Sequence, residues 1–404
     1  MKLIEGGVCA AQGFTAAGVH CGIRRNRTKK DLALIFSRVP AQAAAVYTTN
    51  LVKGAPLLVT KRHLQDGLAQ AVICNSGNAN TCNADGEAVA VQMSRLAADA
   101  LGIRAEDVVV ASTGVIGQKL DVAPIAAAVG PLAQALSPEG STAACEAIMT
   151  TDVQKKQIAV EFTLGGKTCR LGGIAKGSGM IHPNMATMLV FLTTDAAISA
   201  AMLRKALQGD VRNTFNMTSV DGDTSTNDMV TILANGLAGN DEITAEGADF
   251  ETFMQALNTV NVWLCRAIAA DGEGATKLIE CTVTGAQDLQ TARLAAKSVV
   301  CSSLTKAAMF GEDANWGRVL CALGYSGAAL DVTKIGVSFR SAAGSVEVCR
   351  DGAGVPFSEE LAKKVLREKE IEIAVTLGGG AASASAWGCD LTYEYVKING
   401  EYRT

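Results

Sequence analysis

Residues 176–191 combine side chains that could carry out acyl-transfer chemistry. A glycine-rich loop leads into an apolar strand, and Thr187 stands where that strand begins. A threonine hydroxyl is a weak nucleophile at neutral pH and needs a neighbouring base. If the chain were cut between Ala186 and Thr187, the new α-amino group, with a reference pKa of about 7.7–8.0, would be that base. The glycines and Pro183 favour the sharp bend that such self-cleavage requires.

The same residues also fit an ordinary connection between a loop and a strand. Threonine is a favoured strand residue. Gly177-Ser178-Gly179 is a common loop composition, and an Ala-Thr pair recurs at Ala275-Thr276. Spacing alone therefore leaves a plain structural explanation open beside the nucleophile hypothesis.

Other familiar motifs are incomplete in this chain. Gly166-Lys167-Thr168 resembles the end of a phosphate-binding loop, but Glu161 stands where the first glycine is required. Asp221-Gly222-Asp223-Thr224-Ser225 resembles a calcium loop, but Thr226 and Ile232 replace its glycine and its final glutamate. No dinucleotide fingerprint, Gly-x-Ser-x-Gly elbow or His-Glu-x-x-His pair occurs. The sequence therefore predicts no nucleotide cofactor and no metal from these motifs.

Hydrophobic periodicity predicts a mixture of helices and strands. Helices are predicted at 84–101, with Gly102 as the stop, at 250–268, and from a Ser358 cap to about Arg367. Strands, including a hairpin around Gly165-Gly166-Lys167, are predicted at 31–36, 56–60, 71–74, 108–110, 158–173, 188–192 and 371–377. The mixture predicts an α/β or α+β fold.

Composition narrows the class of protein further. The 404 residues are 49% hydrophobic and carry a formal charge of −4, which predicts a large packed core and argues against a nucleic acid or membrane partner. Residues 1–7 lack the apolar core of a signal peptide. None of the 12 cysteines forms a Cys-x-x-Cys pair, and three histidines are few for a zinc site. We therefore expect a cytoplasmic protein with reduced, mostly buried thiols.

Several blocks of the sequence resemble one enzyme family. Residues 176–191 are similar to the self-cleavage motif of the ornithine acetyltransferases, also called glutamate N-acetyltransferases, which act in arginine biosynthesis. Further blocks match that family in the same order, at 75–80, 112–117, 150–152, 271–277 and 399–404. The resemblance covers essentially the whole chain, so chance similarity of one motif does not explain it.

The resemblance implies a particular fold and a processed chain. The expected fold is an α/β/β/α sandwich similar to the N-terminal nucleophile hydrolases, with distinct connectivity and a smaller C-terminal α/β subdomain at about 280–404. Self-cleavage between Ala186 and Thr187 is expected to give an α chain of residues 1–186 and a β chain of residues 187–404. The family suggests an α2β2 heterotetramer of these chains.

The resemblance also implies a reaction and its residues. An acetyl group would pass from N2-acetylornithine to glutamate through an acetyl-Thr187 intermediate, in two ping-pong steps. Thr113 and Gly114 match the oxyanion hole, which would stabilise the developing negative charge. The remaining matches are substrate-binding positions: Thr150, Lys176, Thr187, Glu273, Asn399 and Thr404. Lys176 is expected to bind the substrate carboxylate and Glu273 its amine. No metal or cofactor is implied, although many members accept acetyl-coenzyme A as a second donor.

Alternatives to the acetyltransferase remain open at this stage. A related amidase or aminopeptidase would use the same threonine but transfer the acyl group to water. A non-enzymatic amino-acid-binding protein would keep the Ala186–Thr187 bond intact. The functions of His182, Asp152 and the 75–80 loop are also open. His182 is either a tolerated loop residue or a helper in self-cleavage, and the 75–80 loop either lines the site or only turns the chain.

Overall fold

The computed structural model describes residues 1–182 and 188–401, in which the strands form two sheets. The first sheet has the order β1-β6-β7-β8-β9-β3-β4-β5, with β2 paired to β3. Its strands are β1 (Lys2–Ile4), β2 (Phe14–Val19), β3 (Leu32–Tyr47), β4 (Leu68–Asn78), β5 (Val108–Val115), β6 (Lys156–Leu164), β7 (Lys167–Lys176), β8 (Leu189–Thr194) and β9 (Met229–Ala234).

The helices of the described residues occur throughout the chain. They are α1 (Ala55–His63), α2 (Gly86–Leu101), α3 (Ala123–Gln134), α4 (Ser141–Ile148), α5 (Ala200–Val211), α6 (Ala248–Ala270), α7 (Leu289–Cys301), α8 (Ser303–Phe310), α9 (Trp316–Gly324), α10 (Glu359–Leu366) and α11 (Tyr393–Glu401). Gly102 ends α2 in the left-handed conformation, and the Ser358 hydroxyl caps α10 by accepting a hydrogen bond from the Leu361 amide.

The long strand β3 belongs to both halves of the first sheet. Its residues 32–37 pair with β2 and its residues 42–47 pair with β9, and the register against β4 shifts between Phe36 and Ala41. Pro40 lies inside this irregular stretch, where a missing amide hydrogen is tolerated. The bend lets the half made of β2, β3, β4 and β5 pack face to face against the half made of β6, β7, β8 and β9.

Three apolar clusters separate the resulting layers. One lies between the two halves of the sheet and includes Val72, Val109, Phe191 and Leu233. A second joins the outer face of β3, β4 and β5 to α2 and α3. The third joins the outer face of β6, β7, β8 and β9 to α5 and α6. The order helix, sheet, sheet, helix confirms the α/β/β/α sandwich expected for this chain.

The second sheet follows α6 and has the order β13-β12-β11-β14-β10-β15. Its strands are β10 (Leu278–Ala286), β11 (Gly336–Ser341), β12 (Gly344–Arg350), β13 (Ala353–Gly354), β14 (Glu370–Thr376) and β15 (Ala382–Cys389). Its core is continuous with the apolar face of α6, because β10 and β15 residues belong to the same cluster as Leu257, Val260 and Leu264. This sheet therefore packs against the sandwich through α6.

One predicted strand is wrong. Residues 56–60 form the first turns of α1 instead of a strand. Pro56 stands in the first turn, where a helix has no use for the amide hydrogen that proline lacks. The segment is a short apolar run, and the periodicity of so short a run cannot distinguish a buried strand from a buried helix. Leu57, Val59 and Thr60 are all buried in the helix.

Three further observations concern the described residues as a whole. No helix within 1–182 and 188–401 is both long and apolar enough to cross a membrane. In the same ranges, no three His, Cys, Asp or Glu side chains come together as a possible metal-binding group. All 12 cysteines are free of disulfides and seven of them are buried.

Candidate active site

One cavity of about 150 Å³ gathers the predicted site residues whose positions the structure describes. It lies where β4, β5 and β7 end and where β8 and β9 begin. Thr113, Gly114, Thr150, Lys176, Glu273 and Asn399 all line it, together with Ala79, Met188, Leu189 and residues 225–228. These six predicted residues come from five separate segments of the chain, so only the tertiary fold brings them together.

Three predicted residues lie outside the described part of the chain. They are Ala186, Thr187 and Thr404. The described neighbour on the C-terminal side, Met188, lines the cavity, and its carbonyl accepts a hydrogen bond from the Met229 amide at 2.9 Å. The strand that follows Thr187 therefore starts at the wall of the cavity.

Thr113 and Gly114 lie at the end of β5, beside the parallel strand β4. A Cβ atom on Gly114 would lie 2.3 Å from the Gly77 carbonyl carbon, and its φ of +133° also favours glycine. Asn75 connects the two strand ends, because its Oδ1 accepts a hydrogen bond from the Ser112 hydroxyl at 2.6 Å. Only glycine allows this close approach of the two backbones.

Asn227 holds the end of the 75–80 segment, whose function the sequence left open. The Asn227 Nδ2 donates to the Ala79 carbonyl at 2.6 Å and to the Ser112 carbonyl at 2.9 Å. Its Oδ1 accepts from the hydroxyls of Thr81 and Thr226. Most of the segment continues β4, and Ala79 contributes to the cavity wall. The segment therefore both lines the cavity and turns the chain.

Lys176 is the last residue of β7 and pairs with Leu189 across the strands. It is 9% exposed, and its ammonium has no hydrogen bond or ion pair within residues 1–182 and 188–401. The nearby carboxylates of Asp152 and Asp228 interact with its charge over longer distances. A nearly buried cation at a cavity wall is costly unless an anion offsets it, so Lys176 can bind a carboxylate that enters the cavity.

A buried ionic network supports three of the cavity-lining segments. The Lys156 ammonium donates to Asp152 Oδ1 at 2.7 Å and to Asp271 Oδ2 at 2.5 Å. Asp152 also accepts from the Thr150 amide at 2.9 Å and from the Gly177 amide at 2.7 Å. Asp152, whose function the sequence left open, therefore fixes the backbone beside Thr150 and Lys176.

The charges of this network stabilise one another. Burial by itself would raise the pKa of the Asp152 carboxyl, but the Lys156 and Lys176 ammoniums outweigh it and hold that pKa below its usual range. Burial would lower the pKa of Lys156, yet Asp152 and Asp271 outweigh it and raise that pKa. Both groups are therefore charged near neutral pH.

Glu273 is positioned from two directions. Its amide donates to the Ser178 carbonyl at 3.0 Å, and the Ser178 hydroxyl in turn donates to the Asp271 carbonyl at 2.6 Å. Its carboxylate accepts from Asn399 Nδ2 at 2.7 Å, so α11 reaches the cavity. A Cβ atom on Gly179 would lie 2.3 Å from the Glu273 carboxyl group, which explains the glycine at that position. The cavity wall therefore includes the Glu273 carboxylate as well as the Lys176 ammonium.

Asp228 is a polar cavity residue that sequence reasoning missed. It is 3% exposed, and its Oδ2 has no hydrogen-bond partner in the part of the chain that the structure describes. Burial raises the pKa of the Asp228 carboxyl well above its usual range, against the opposing effects of Ser225, Lys176 and Thr48. No motif pointed to it, because an aspartate at the start of a strand has no local signature.

His182 lies beside the cavity-lining segment. Its Nδ1 is 3.1 Å from the Ser219 hydroxyl and 3.5 Å from the Cys301 sulfur. Burial and the nearby Lys297 charge together lower the pKa of His182 to about 4, against the opposing effect of Asp221. The imidazole is therefore neutral near pH 7, and it contacts a serine and a cysteine rather than a carboxylate.

The fold and this cavity define an α/β-sandwich enzyme with a small polar site that carries both signs of charge. The ArgJ family model matches residues 15–404, and the chain belongs to the ArgJ family. The resemblance inferred from the sequence motifs is thereby confirmed, and so is the expectation of an enzyme.

Individual relatives are similar in sequence to this chain over nearly their full lengths. The arginine biosynthesis bifunctional protein ArgJ of Symbiobacterium thermophilum is 55% identical, and the alignment covers 100% of both chains. That of Thermotoga neapolitana is 49% identical over 97% of this chain and 99% of its own.

Two solved structures are also similar. The crystal structure of arginine biosynthesis bifunctional protein ArgJ from Bacillus halodurans is 44% identical, covers 52% of this chain and 97% of its own, and has a TM-score of 0.49. The ornithine acetyltransferase complexed with ornithine from Mycobacterium tuberculosis is 39% identical, covers 46% of this chain and 99% of its own, and has a TM-score of 0.43.

Proposed function

We propose that this chain is a self-processing acetyltransferase that moves an acetyl group from N2-acetylornithine to glutamate. The observation that carries the proposal is the convergence of Thr113, Gly114, Thr150, Lys176, Glu273 and Asn399 on one cavity, whose wall also includes the residue after Thr187. Membership of the ArgJ family supports this proposal, because relatives that align with this chain over their whole length are named for arginine biosynthesis.

The proposed chemistry begins with the cut between Ala186 and Thr187. The freed α-amine of Thr187 takes the proton of the threonine hydroxyl, which attacks the acetyl carbonyl of N2-acetylornithine. Thr113 and Gly114 stabilise the negative oxygen of the tetrahedral intermediate. The intermediate collapses to acetyl-Thr187, and the departing amine of ornithine takes the proton. The neutral amine of glutamate then attacks the acetyl-enzyme, and the C–Oγ bond to Thr187 breaks. The Thr187 α-amine takes the surplus proton of the attacking amine and passes it to the departing threonine oxygen, so that N-acetylglutamate leaves and the free hydroxyl is restored.

The charges of the cavity fit amino-acid substrates. N2-acetylornithine carries an α-carboxylate and a side-chain ammonium, and glutamate carries an α-carboxylate too. Lys176 binds the carboxylate, and Glu273, oriented by Asn399, binds the ammonium. Thr150 contributes to the same wall, and Thr404 completes the set from the C-terminal end. The reaction so written needs no metal or organic cofactor, and acetyl-coenzyme A is a second donor to be tested.

Processing and assembly belong to the same proposal. Residues 1–186 form the α chain and residues 187–404 the β chain, with about 280–404 as a smaller subdomain of the β chain. Two copies of each make an α2β2 heterotetramer that acts in the cytoplasm. The mass of the undissociated enzyme checks this assembly.

The decisive assay follows the acceptor of the acetyl group. Purified enzyme is incubated with N2-acetylornithine with and without glutamate, and ornithine and N-acetylglutamate are quantified. We expect N-acetylglutamate to form in step with ornithine when glutamate is present, and little ornithine to form without it. Ornithine release at the same rate without glutamate would favour the amidase or aminopeptidase alternative, in which water accepts the acetyl group.

Replacement of Lys176 by methionine tests the carboxylate contact. Loss of a charge-assisted hydrogen bond worth about 1.5–3 kcal/mol predicts a KM for N2-acetylornithine that is about tenfold to a hundredfold higher. Lys167→Met is the matched control, because Lys167 is exposed at the opposite end of the same strand. An unchanged KM in Lys176→Met, measured by steady-state kinetics, would contradict the assignment.

A further inference from the structure

One carboxylate holds two consecutive amides of the loop that leads to the proposed cleavage site. Asp221 Oδ2 accepts from the Met180 amide at 2.6 Å, and Asp221 Oδ1 accepts from the Ile181 amide at 2.8 Å. Both carboxylate oxygens therefore bind consecutive backbone amides, an arrangement that fixes position and direction together. Met180 has a φ of +56°, an unusual conformation for a residue with a side chain, and it follows Gly179 directly.

Neighbouring residues extend this contact on both sides. The Val220 amide donates to the Ile181 carbonyl at 2.7 Å, and the Thr224 hydroxyl donates to the His182 carbonyl at 2.8 Å. Residues 180–182 are thus bound over three consecutive positions by the segment 220–224. This segment overlaps residues 221–225, whose sequence resembles an incomplete calcium loop, and both oxygens of its Asp221 accept from backbone amides.

The same carboxylate also reaches the C-terminal helix. The Tyr395 hydroxyl donates to Asp221 Oδ2 at 3.2 Å. One turn further along α11, Asn399 Nδ2 donates to the Tyr395 carbonyl at 3.0 Å and to the Glu273 carboxylate at 2.7 Å. Asp221 is therefore the point at which the cleavage loop and the helix that reaches the cavity meet.

We propose that Asp221 is a positioning residue for self-cleavage, which holds residues 180–182 in the bent path that the reaction at Ala186–Thr187 requires. The inference rests on the proposed self-processing function. Self-cleavage needs the Thr187 hydroxyl and the Ala186 carbonyl to meet, and the productive geometry is lost when the preceding loop is free to straighten. A carboxylate that accepts two amides restricts that freedom at a point five residues before the bond.

The test compares self-cleavage in Asp221→Asn and Asp223→Asn. Asparagine keeps the shape of Asp221 but has one acceptor oxygen and no charge, so one of the two amides loses its acceptor. We expect the conversion of precursor into two chains, followed by denaturing gel and mass spectrometry after a pulse of synthesis, to slow about tenfold to a hundredfold. Asp223 is exposed and lies two residues after Asp221. Asp223→Asn therefore removes the same charge without removing the contacts to the loop, and this variant should cleave at the wild-type rate.

A conservative variant separates positioning from general damage to the fold. Asp221→Glu restores the charge and both acceptor oxygens, so we expect cleavage to recover to within a few-fold of wild type. Thr224→Val, which removes only the contact to the His182 carbonyl, should slow cleavage by a smaller factor. The cleavage rate of Thr224→Val can still be measured if Asp221→Asn does not fold. Thermal melting followed by circular dichroism shows whether Asp221→Asn folds.

Different failures have different meanings. Wild-type cleavage rates in Asp221→Asn, or in Thr224→Val where Asp221→Asn does not fold, would overturn the positioning function and leave self-cleavage intact. Equal slowing in Asp221→Asn and Asp223→Asn would also overturn it, because charge alone would then explain the result. A wild-type chain that never cleaves would overturn the proposed self-processing itself, and the inference with it.

Discussion

Replacement of Thr187 by alanine is expected to leave one uncut chain with no acetyl transfer. Alanine has no hydroxyl to attack the Ala186 carbonyl, so the α-amine proposed as the base would not be released. Denaturing mass spectrometry should give one species near the full 41.7 kDa. The wild type should give two species of about 19 and 22 kDa, in proportion to 186 and 218 of the 404 residues, with Thr187 at the start of the heavier one.

Thr187→Ser is the matched control for this experiment. Serine keeps the hydroxyl, so slow cleavage and weak acetyl transfer should survive. Normal acetyl transfer by the alanine variant would show that another residue is the nucleophile. A full-length wild-type chain with full activity would separate catalysis from processing and would require a base other than the Thr187 amine.

Replacement of Lys156 by methionine is expected to be the most destabilising single change among the charged residues discussed. Lys156 is wholly buried, and its ammonium lies between the Asp152 and Asp271 carboxylates. Methionine fills a similar space but leaves two buried carboxylates without their shared cation. Breaking a buried ion pair in this way costs about 3–5 kcal/mol. Thermal or urea unfolding monitored by circular dichroism measures the loss.

Lys155→Met supplies the comparison at the neighbouring position. Lys155 is half exposed and pairs with Glu146 at the surface at 3.3 Å, so its removal should change the free energy of unfolding by less than about 1 kcal/mol. Equal effects of the two substitutions would contradict the importance of the buried network. The Lys156 variant should also have a raised KM, because Asp152 holds the backbone beside Thr150 and Lys176.

The contribution of this network to stability depends on pH in a definite direction. The folded-state pKa of Asp152 lies below its unfolded value, so its contribution is present above about pH 4 and is lost as the pH falls further. The folded-state pKa of Lys156 lies above its unfolded value, so its contribution is present below about pH 10 and is lost as the pH rises beyond it. The difference between wild type and Lys156→Met should therefore be largest between these limits.

Much of the local structure was predictable because it depends on neighbouring residues. Gly102 ends α2 and Ser358 caps α10 as predicted, since caps are decided within a few residues. The hairpin around Gly165-Gly166-Lys167 is also present as predicted, because its turn depends on these neighbouring residues. The prediction of a strand at 56–60 was wrong because a short apolar run fits a buried strand and a buried helix equally well. Only its packing against the sheet, where the Thr60 hydroxyl donates to the Val110 carbonyl, distinguishes them.

The sequence by itself determined the family and the identities of the proposed site residues. Thr113, Lys176 and Glu273 were found from their motifs, because residue type and local order are written along the chain. Lys156, Asp221 and Asn227 were not singled out as site residues, since each contacts residues distant in sequence. Asp228 was missed because no local motif marks it. Whether a charge is buried, and which carboxylate meets which amide, depends on the packing of segments far apart in sequence, as in the contact between Lys156 and Asp271, which are 115 residues apart. The tertiary structure alone decided which side chains surround the cavity and which hold its walls in place.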